Sequence, residues 1–393
     1  MTSLPLAGIT ILDLSRLLPG PMCSQHLADM GADVIKVEDP GIGDYARWSG
    51  KPQAVNSPFF LALNRNKRSV CLDLKKPEAV ELLKQLVAKA DIVLESFRPG
   101  VTARLGCDYE TLKAINPRLV YCSVTGYGQT GPLSTLGGHD INFIAEAGIS
   151  DQNGPADGPP MLSNFQIADL AGGALSAAMG ILAALFDAQR SGQGRHVDVS
   201  MTDCAMAHSL FPLVAKTRTG QAAPRGTDRL TGGTAAYGYY RTADDRFLAV
   251  GALEPQFWQR LCVDVIDRPD LVKPSPDQAV QLGEILADIF AARPLAEWRQ
   301  RLAGVDCCVN PVLTPDEAMD SPHVRERQLV IRHPHPVEGE VLQYAFPIKM
   351  TDFDFAIRRP APMLGEHTAE ILGLSPERAE ELARCGITAI VKN

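Results

Sequence analysis

The strongest constraint on this fold is an alternation of short, β-rich apolar runs with helical stretches through the first half of the chain. Gly8 to Leu14 reads as a strand, Met22 to Met30 as a helix closed by Gly31, and Ala32 to Glu38 as a second strand. The rhythm continues with a strand at Ser69 to Leu74, a helix at Glu78 to Ala90 and a strand at Asp91 to Glu95. A helix at Tyr109 to Asn116, a strand at Leu119 to Val124 and another strand at His196 to Ser200 complete it. Strand, helix, strand at this spacing is a βαβ unit with parallel strands. Its repetition predicts an α/β fold with a doubly wound, Rossmann-like sheet and ligands at the C-terminal strand ends. No G-x-G-x-x-G follows the first strand, so a dinucleotide bound in the usual way is not expected.

A chain of 393 residues exceeds one average domain. The expected division is a large domain at 1–205, a linker at 206–224, a small α/β domain at 225–325 and a return segment at 326–393. The linker gives way to a long Gly/Thr-rich loop from Arg218 to Gly238, followed by a hairpin at Tyr239 to Val250. The proline-rich tail reads as extended, ending in helices at Thr368 to Leu372 and Pro376 to Cys385. The longest helical segment, Asp169 to Gln189, is apolar nearly all round and is expected to be buried.

A net charge of −8 argues against a general nucleic-acid binder. No apolar run reads as long enough to span a bilayer, and Met1 to Pro5 lacks a charged n-region, so neither membrane insertion nor secretion is expected. Nine irregularly spaced cysteines suit reduced thiols in a cytoplasmic compartment. No Cys/His spacing suggests a metal.

The residues that carry chemistry are few. Gly138-His139-Asp140 pairs an imidazole with a carboxylate, groups able to move protons near neutral pH. Asp169 falls at the mouth of the long helix, where backbone N–H groups favour negative charge. Glu254, after an apolar strand, is a third acid able to steer the imidazole. Basic residues Arg68, Lys75, Arg98 and Arg104 fall near strand ends, suited to phosphate. Each has an ordinary reading too: a loop histidine, an N-cap, a helix start before Pro255, a solvated surface.

Taken in order, these segments resemble the family III CoA transferases, and within that superfamily its acyl-CoA racemase branch. The resemblance runs from Pro19-Gly20-Pro21 and Gly31-Ala32-Asp33 through Asn66-Lys67-Arg68-Ser69, Gly138-His139-Asp140 and Ala168-Asp169-Leu170. It continues through Gly251-Ala252-Leu253-Glu254-Pro255 to Gly365-Glu366-His367-Thr368. It implies an interlocked homodimer and an acyl-CoA thioester substrate, with no cofactor beyond the CoA moiety. CoA is implied to lie against Arg68, Leu72, Lys75, Phe97, Arg98, Arg104, Gly138 and Asp140. In a racemase, His139 and Asp169 exchange protons with the two faces of the carbon α to the thioester, through an enolate, with Glu254 holding the imidazole. N–H groups at the start of the Asp169 helix then stabilise the enolate oxygen. In a transferase, Asp169 is the nucleophile that forms anhydride and thioester intermediates. A non-catalytic CoA-binding protein is the third alternative.

Overall fold

The computed structural model describes residues 4–389, which form two compact units. The first gathers residues up to Ala147, Ser163–His208 and the chain from His323 onward; the second gathers Gly148–Leu162 and Ser209–Pro322. Residues 148–162, expected with the large domain, thus belong to the second unit.

The first unit is built on six strands: β1 (Thr10–Asp13), β2 (Asp33–Glu38), β3 (Lys67–Cys71), β4 (Ile92–Glu95), β5 (Val120–Thr125) and β6 (His196–Ser200). All neighbours pair in parallel, in the order β3-β2-β1-β4-β5-β6. Leu12 of β1 aligns with Ile35 of β2 on one side and Val93 of β4 on the other, so the strand order reverses between β1 and β4. In a doubly wound sheet that reversal opens a crevice at the carboxyl ends of the strands, where ligands bind. The inner strands are buried from end to end except for the half-buried first residues of β1 and β2, as helices on both faces require.

Two lysines interrupt this apolar interior. Lys36 pairs with Asp44 at 2.8 Å, and Lys67 pairs with Asp13 at 3.2 Å; all four side chains are fully buried. Burial alone would raise the Asp13 carboxyl, but Lys36, Lys67 and hydrogen bonds from Ser15 and Ser24 hold it down at about 2. Burial pushes the Lys67 ammonium down to about 8, against the pull of Asp13. Removing one partner of such a cluster strands a charge in the interior. Asp13→Ala is therefore expected to lower the unfolding free energy by about 3–5 kcal/mol in urea titrations at pH 7; a loss below about 1 kcal/mol, the surface-pair range, contradicts this.

The long helix runs Ala168–Ser191 and ends at Gly192, whose φ is +73°. Its first part, Ala168–Leu175, is π-helical. Gly172 and Gly173 admit close neighbours: a Cβ on Gly172 would stand 2.6 Å from the Met201 carbonyl oxygen. Two expectations need correction. The helix is not buried all round, since Leu175, Met179 and Phe186 are 54%, 66% and 61% exposed. By length and composition it is also apolar enough to cross a membrane. It packs against β5 and β6.

The second unit holds an antiparallel sheet in the order β7 (Tyr237–Arg241), β8 (Phe247–Gly251) and β9 (Val309–Pro311). Helices Pro276–Ala291 and Leu295–Leu302 pack on it around Leu248, Val250, Leu286, Phe290 and Trp298. The expected linker contains a helix, Leu210–Thr219, closed by Gly220 with φ +87°. In the tail, the expected extended segment pairs with itself as an antiparallel hairpin, β10 (Val330–His335) with β11 (Gly339–Tyr344). A two-stranded ribbon tolerates Pro334, because both of its strands are edges.

Candidate active site

A cavity of about 980 Å³ opens at the switch point of the six-stranded sheet. Its wall comes from the loops after β1 (Arg16, Leu17), β4 (Ser96 to Pro99) and β5 (Gly126), and it includes both His139 and Asp169.

The local sequence explains this convergence. Gly126 and Gly138 pack tightly on Phe143, since Cβ atoms there would lie 2.2 and 2.7 Å from its ring. That packing brings the β5 loop against the helix Asp140–Glu146. His139 precedes the helix and is fixed through its backbone: its N–H donates to Asn142 Oδ1 at 3.1 Å, and its carbonyl accepts from the Asn142 N–H at 2.8 Å. The imidazole is left for the cavity. Asp140 turns the other way. It is 3% exposed, and its Oδ1 accepts the Asp169 N–H at 3.0 Å.

Asp169 lies in the first turn of the long helix. Burial raises its carboxyl to about 6, helped by the Asp140 carboxylate and opposed by His139. A carboxyl so tuned is available in both protonation states near neutrality. No hydrogen bond joins His139 to Asp169 among the described residues.

The other expected ligand residues divide. Gly138, Phe97 and Arg98 line this cavity, while Leu72, Lys75 and again Phe97 line an adjacent one of about 460 Å³. Arg104 is exposed on the short helix Val101–Leu105, whose two end residues line the second cavity. Arg68 is a correction. It sits near the start of β3, at the opposite end of the sheet, and its guanidinium is committed to Asp33 and Glu370 at 2.5 and 2.8 Å. Asp140 is a second correction, because it supports Asp169 from beneath and lines neither cavity. The amides at the helix start are a third. The Asp169 N–H goes to Asp140 and the Leu170 N–H to the Gln166 carbonyl at 3.0 Å, so neither is available to an enolate oxygen. Glu254 belongs to the second unit, exposed at the head of the helix Pro255–Arg260.

Two wall residues and one buried carboxyl beside them escape sequence reasoning. Arg16 and Tyr45 line both cavities. Glu95, at the end of β4, accepts the Phe97 N–H at 2.7 Å, and burial raises its carboxyl to about 7. The rule that ligands meet strand carboxyl ends would have flagged Arg16 and Glu95; Tyr45, which opens the short 3-10 turn Tyr45–Trp48, carries no such signal.

A doubly wound sheet with an imidazole and a half-buried carboxyl at its switch point defines a protein equipped for proton or acyl transfer at a carbonyl. The chain belongs to CoA-transferase family III, whose model matches residues 6–368. It is 38% identical to human alpha-methylacyl-CoA racemase, over 96% of each chain. It is 33% identical to human succinyl-CoA:glutarate CoA-transferase, over 94% of this chain and 85% of that one. Among solved structures, a CAIB/BAIF family protein from Brucella suis superposes with a TM-score of 0.81 at 30% identity, covering 94% of this chain and 98% of its own. Racemases and CoA-transferases stand at similar identity, and the chain is an enzyme of this family.

Proposed function

We propose that the enzyme is an alpha-methylacyl-CoA racemase, inverting the carbon next to the thioester of a 2-methylacyl-CoA. The observation that carries this reading is the shared cavity of His139 and Asp169, with the Asp169 carboxyl tuned to about 6. One group takes the α-proton, and the C–H electron pair moves onto the thioester oxygen as an enolate. The other group delivers a proton to the opposite face, so one C–H bond breaks, one forms and no redox partner is needed. The CoA portion occupies the two adjoining cavities, beside Phe97, Arg98, Leu72 and Lys75. The exposed Leu175, Met179 and Phe186 support an interlocked homodimer that covers them.

The transferase reading has its own support in Asp169, which lines the cavity and is suited to attack a thioester carbonyl. Attack there forms an acyl–Asp169 anhydride and releases the CoA thiolate, which attacks the Asp169 carbonyl to give aspartyl-CoA and free the donor carboxylate. The acceptor carboxylate then displaces the thiolate, forming a second anhydride, and the thiolate attacks the acceptor's acyl carbonyl to give the new acyl-CoA and regenerate Asp169. One experiment separates the readings: incubate the enzyme with a 2-methylacyl-CoA in deuterium oxide with no added carboxylic acid. Deuterium uptake at the α-carbon is the expected result. Absence of uptake, with a hydroxylamine-sensitive adduct on Asp169 and turnover only when a free acid is supplied, identifies a transferase. Binding of CoA without either chemistry identifies a non-catalytic protein.

A further inference from the structure

Doubly wound sheets commonly meet ligand phosphates with the N–H groups of the helix that follows β1. In this chain that route is closed. The helix Pro19–Asp29 begins Pro19-Gly20-Pro21, so two of its first three residues have no N–H to offer. Met22 donates back to the Leu18 carbonyl at 3.0 Å. Gly20 is pressed so closely on Ser15 that a Cβ would lie 2.2 Å from its side chain. An anion arriving at the switch point must therefore be met by side chains.

Arg16 is placed for that task. It stands in the loop after β1, and with Tyr45, Phe97 and Val101 it forms the wall shared by the two cavities. Its guanidinium carbon lies 5.1 Å from the centre of the Tyr45 ring and 5.5 Å from that of Phe97. One nitrogen, Nη1, donates to Tyr45 Oη at 3.0 Å. Among the described residues it has no carboxylate partner, unlike Arg47, Arg65 and Arg68, which are all paired. The acids that share the second cavity with it are engaged elsewhere: Glu38 is gripped by Arg47 at 2.7 and 2.8 Å, Asp39 Oδ1 accepts the Gly41 and Ile42 N–H groups, and Asp73 Oδ1 accepts the Lys75 N–H at 3.2 Å.

The backbone beneath Arg16 is rigid. Leu17 is left-handed, with φ +65°, a conformation a leucine keeps only when its surroundings impose it. Asp44 imposes it by accepting the Leu17 N–H at 2.9 Å, and buried Lys36 anchors both Asp44 and the Ser15 carbonyl. The Arg16 N–H donates to Ser96 Oγ at 3.2 Å, tying the β1 loop to the β4 loop across the switch point. A strained turn, a buried ion pair and a cross-loop bond all fix one cation that has no internal counter-charge.

We infer that Arg16 is the binding residue that grips the diphosphate of an acyl-CoA where the ligand passes between the two cavities. Its planar fork offers paired N–H donors to phosphate oxygens, while Tyr45 and Phe97 hold the plane. The inference rests on the acyl-CoA reading above and deepens it.

The test is equilibrium binding of CoA and of pantetheine, which keeps the thiol arm but lacks the diphosphate and nucleotide, to the wild type, Arg16→Gln and Arg16→Lys. Arg16→Gln should weaken CoA by about 10-fold or more while pantetheine changes by less than about twofold, with Arg16→Lys in between. CoA binding unchanged in Arg16→Gln overturns the inference. So does equal loss of CoA and pantetheine, which makes Arg16 merely part of the wall. If Arg16→Gln does not fold, Arg16→Lys decides alone: weaker CoA at unchanged pantetheine supports the fork, and unchanged CoA refutes it. A wild type that binds no CoA removes the acyl-CoA reading itself, and the inference with it.

Discussion

Replacing His139 by alanine should cut α-proton exchange of a 2-methylacyl-CoA by about 10²–10⁴-fold, the usual contribution of a positioned acid–base group. The fold should survive, because His139 is held through its backbone N–H and carbonyl, both of which alanine retains. CoA affinity should change little, since Arg16, the residue inferred above to hold the phosphates, is a different part of the wall. Rates measured in deuterium oxide, with CoA affinity as the control, decide the matter. Exchange within about tenfold of the wild type would remove the imidazole from the reaction. A transferase would keep most of its CoA-transfer rate in this variant.

The second large effect concerns Asp169 and links chemistry to stability. Its carboxyl sits at about 6 in the folded protein, against about 3.9 in an unfolded chain. The folded state thus binds this proton more tightly than the unfolded state. The group costs nothing below about pH 4, and stability is lost as pH rises through about 6. Two pKa units correspond to just under 3 kcal/mol, and partial solvent contact reduces the expected penalty to about 2 kcal/mol. Asp169→Asn removes the ionisation and keeps the backbone N–H that Asp140 accepts. The variant should gain about 2 kcal/mol over the wild type at pH 8 and nothing at pH 4 in urea unfolding, while turnover falls by about 10²–10⁴-fold. A stability difference that stays flat with pH would show that the carboxylate is not held at a cost. With the expected pH dependence, Asp169 is a site where stability is given up for function.

Much of the fold could be read from the sequence because the elements are locally self-consistent. His196–Ser200 and Thr368–Leu372 are bounded as their residues predict, the strand following Gly194 and the helix lying between Gly365 and Gly373. β3 is instructive in the other direction. The sequence reads Lys67 and Arg68 as loop, yet the strand begins at Lys67, because Asp13 makes the interior tolerable for its ammonium. That compensation comes from a residue 54 positions away and leaves no local pattern. The helix Asp140–Glu146 is too short to show a period. At the site, His139 and Asp169 could be found by type and resemblance. The opposite turns of His139 and Asp140 could not, since adjacent residues at a helix start give no hint of which one faces the ligand.

The outer edge of β3 has a consequence for how the protein is made. Ser69 takes its partner from His367, 298 residues later, and Cys71 donates to Thr368 Oγ1. The Asn66 and Asp73 amides likewise wait for the Arg359 and Ile387 carbonyls. During translation this strand leaves the ribosome long before the segment that covers it, as an open edge able to pair with another nascent chain. Most of the second unit, Ser209–Pro322, is one continuous stretch and reaches the solvent first as a complete sequence. The wall of the second cavity, which includes Leu72 and Lys75 just after β3, is therefore among the last parts of the molecule to be secured.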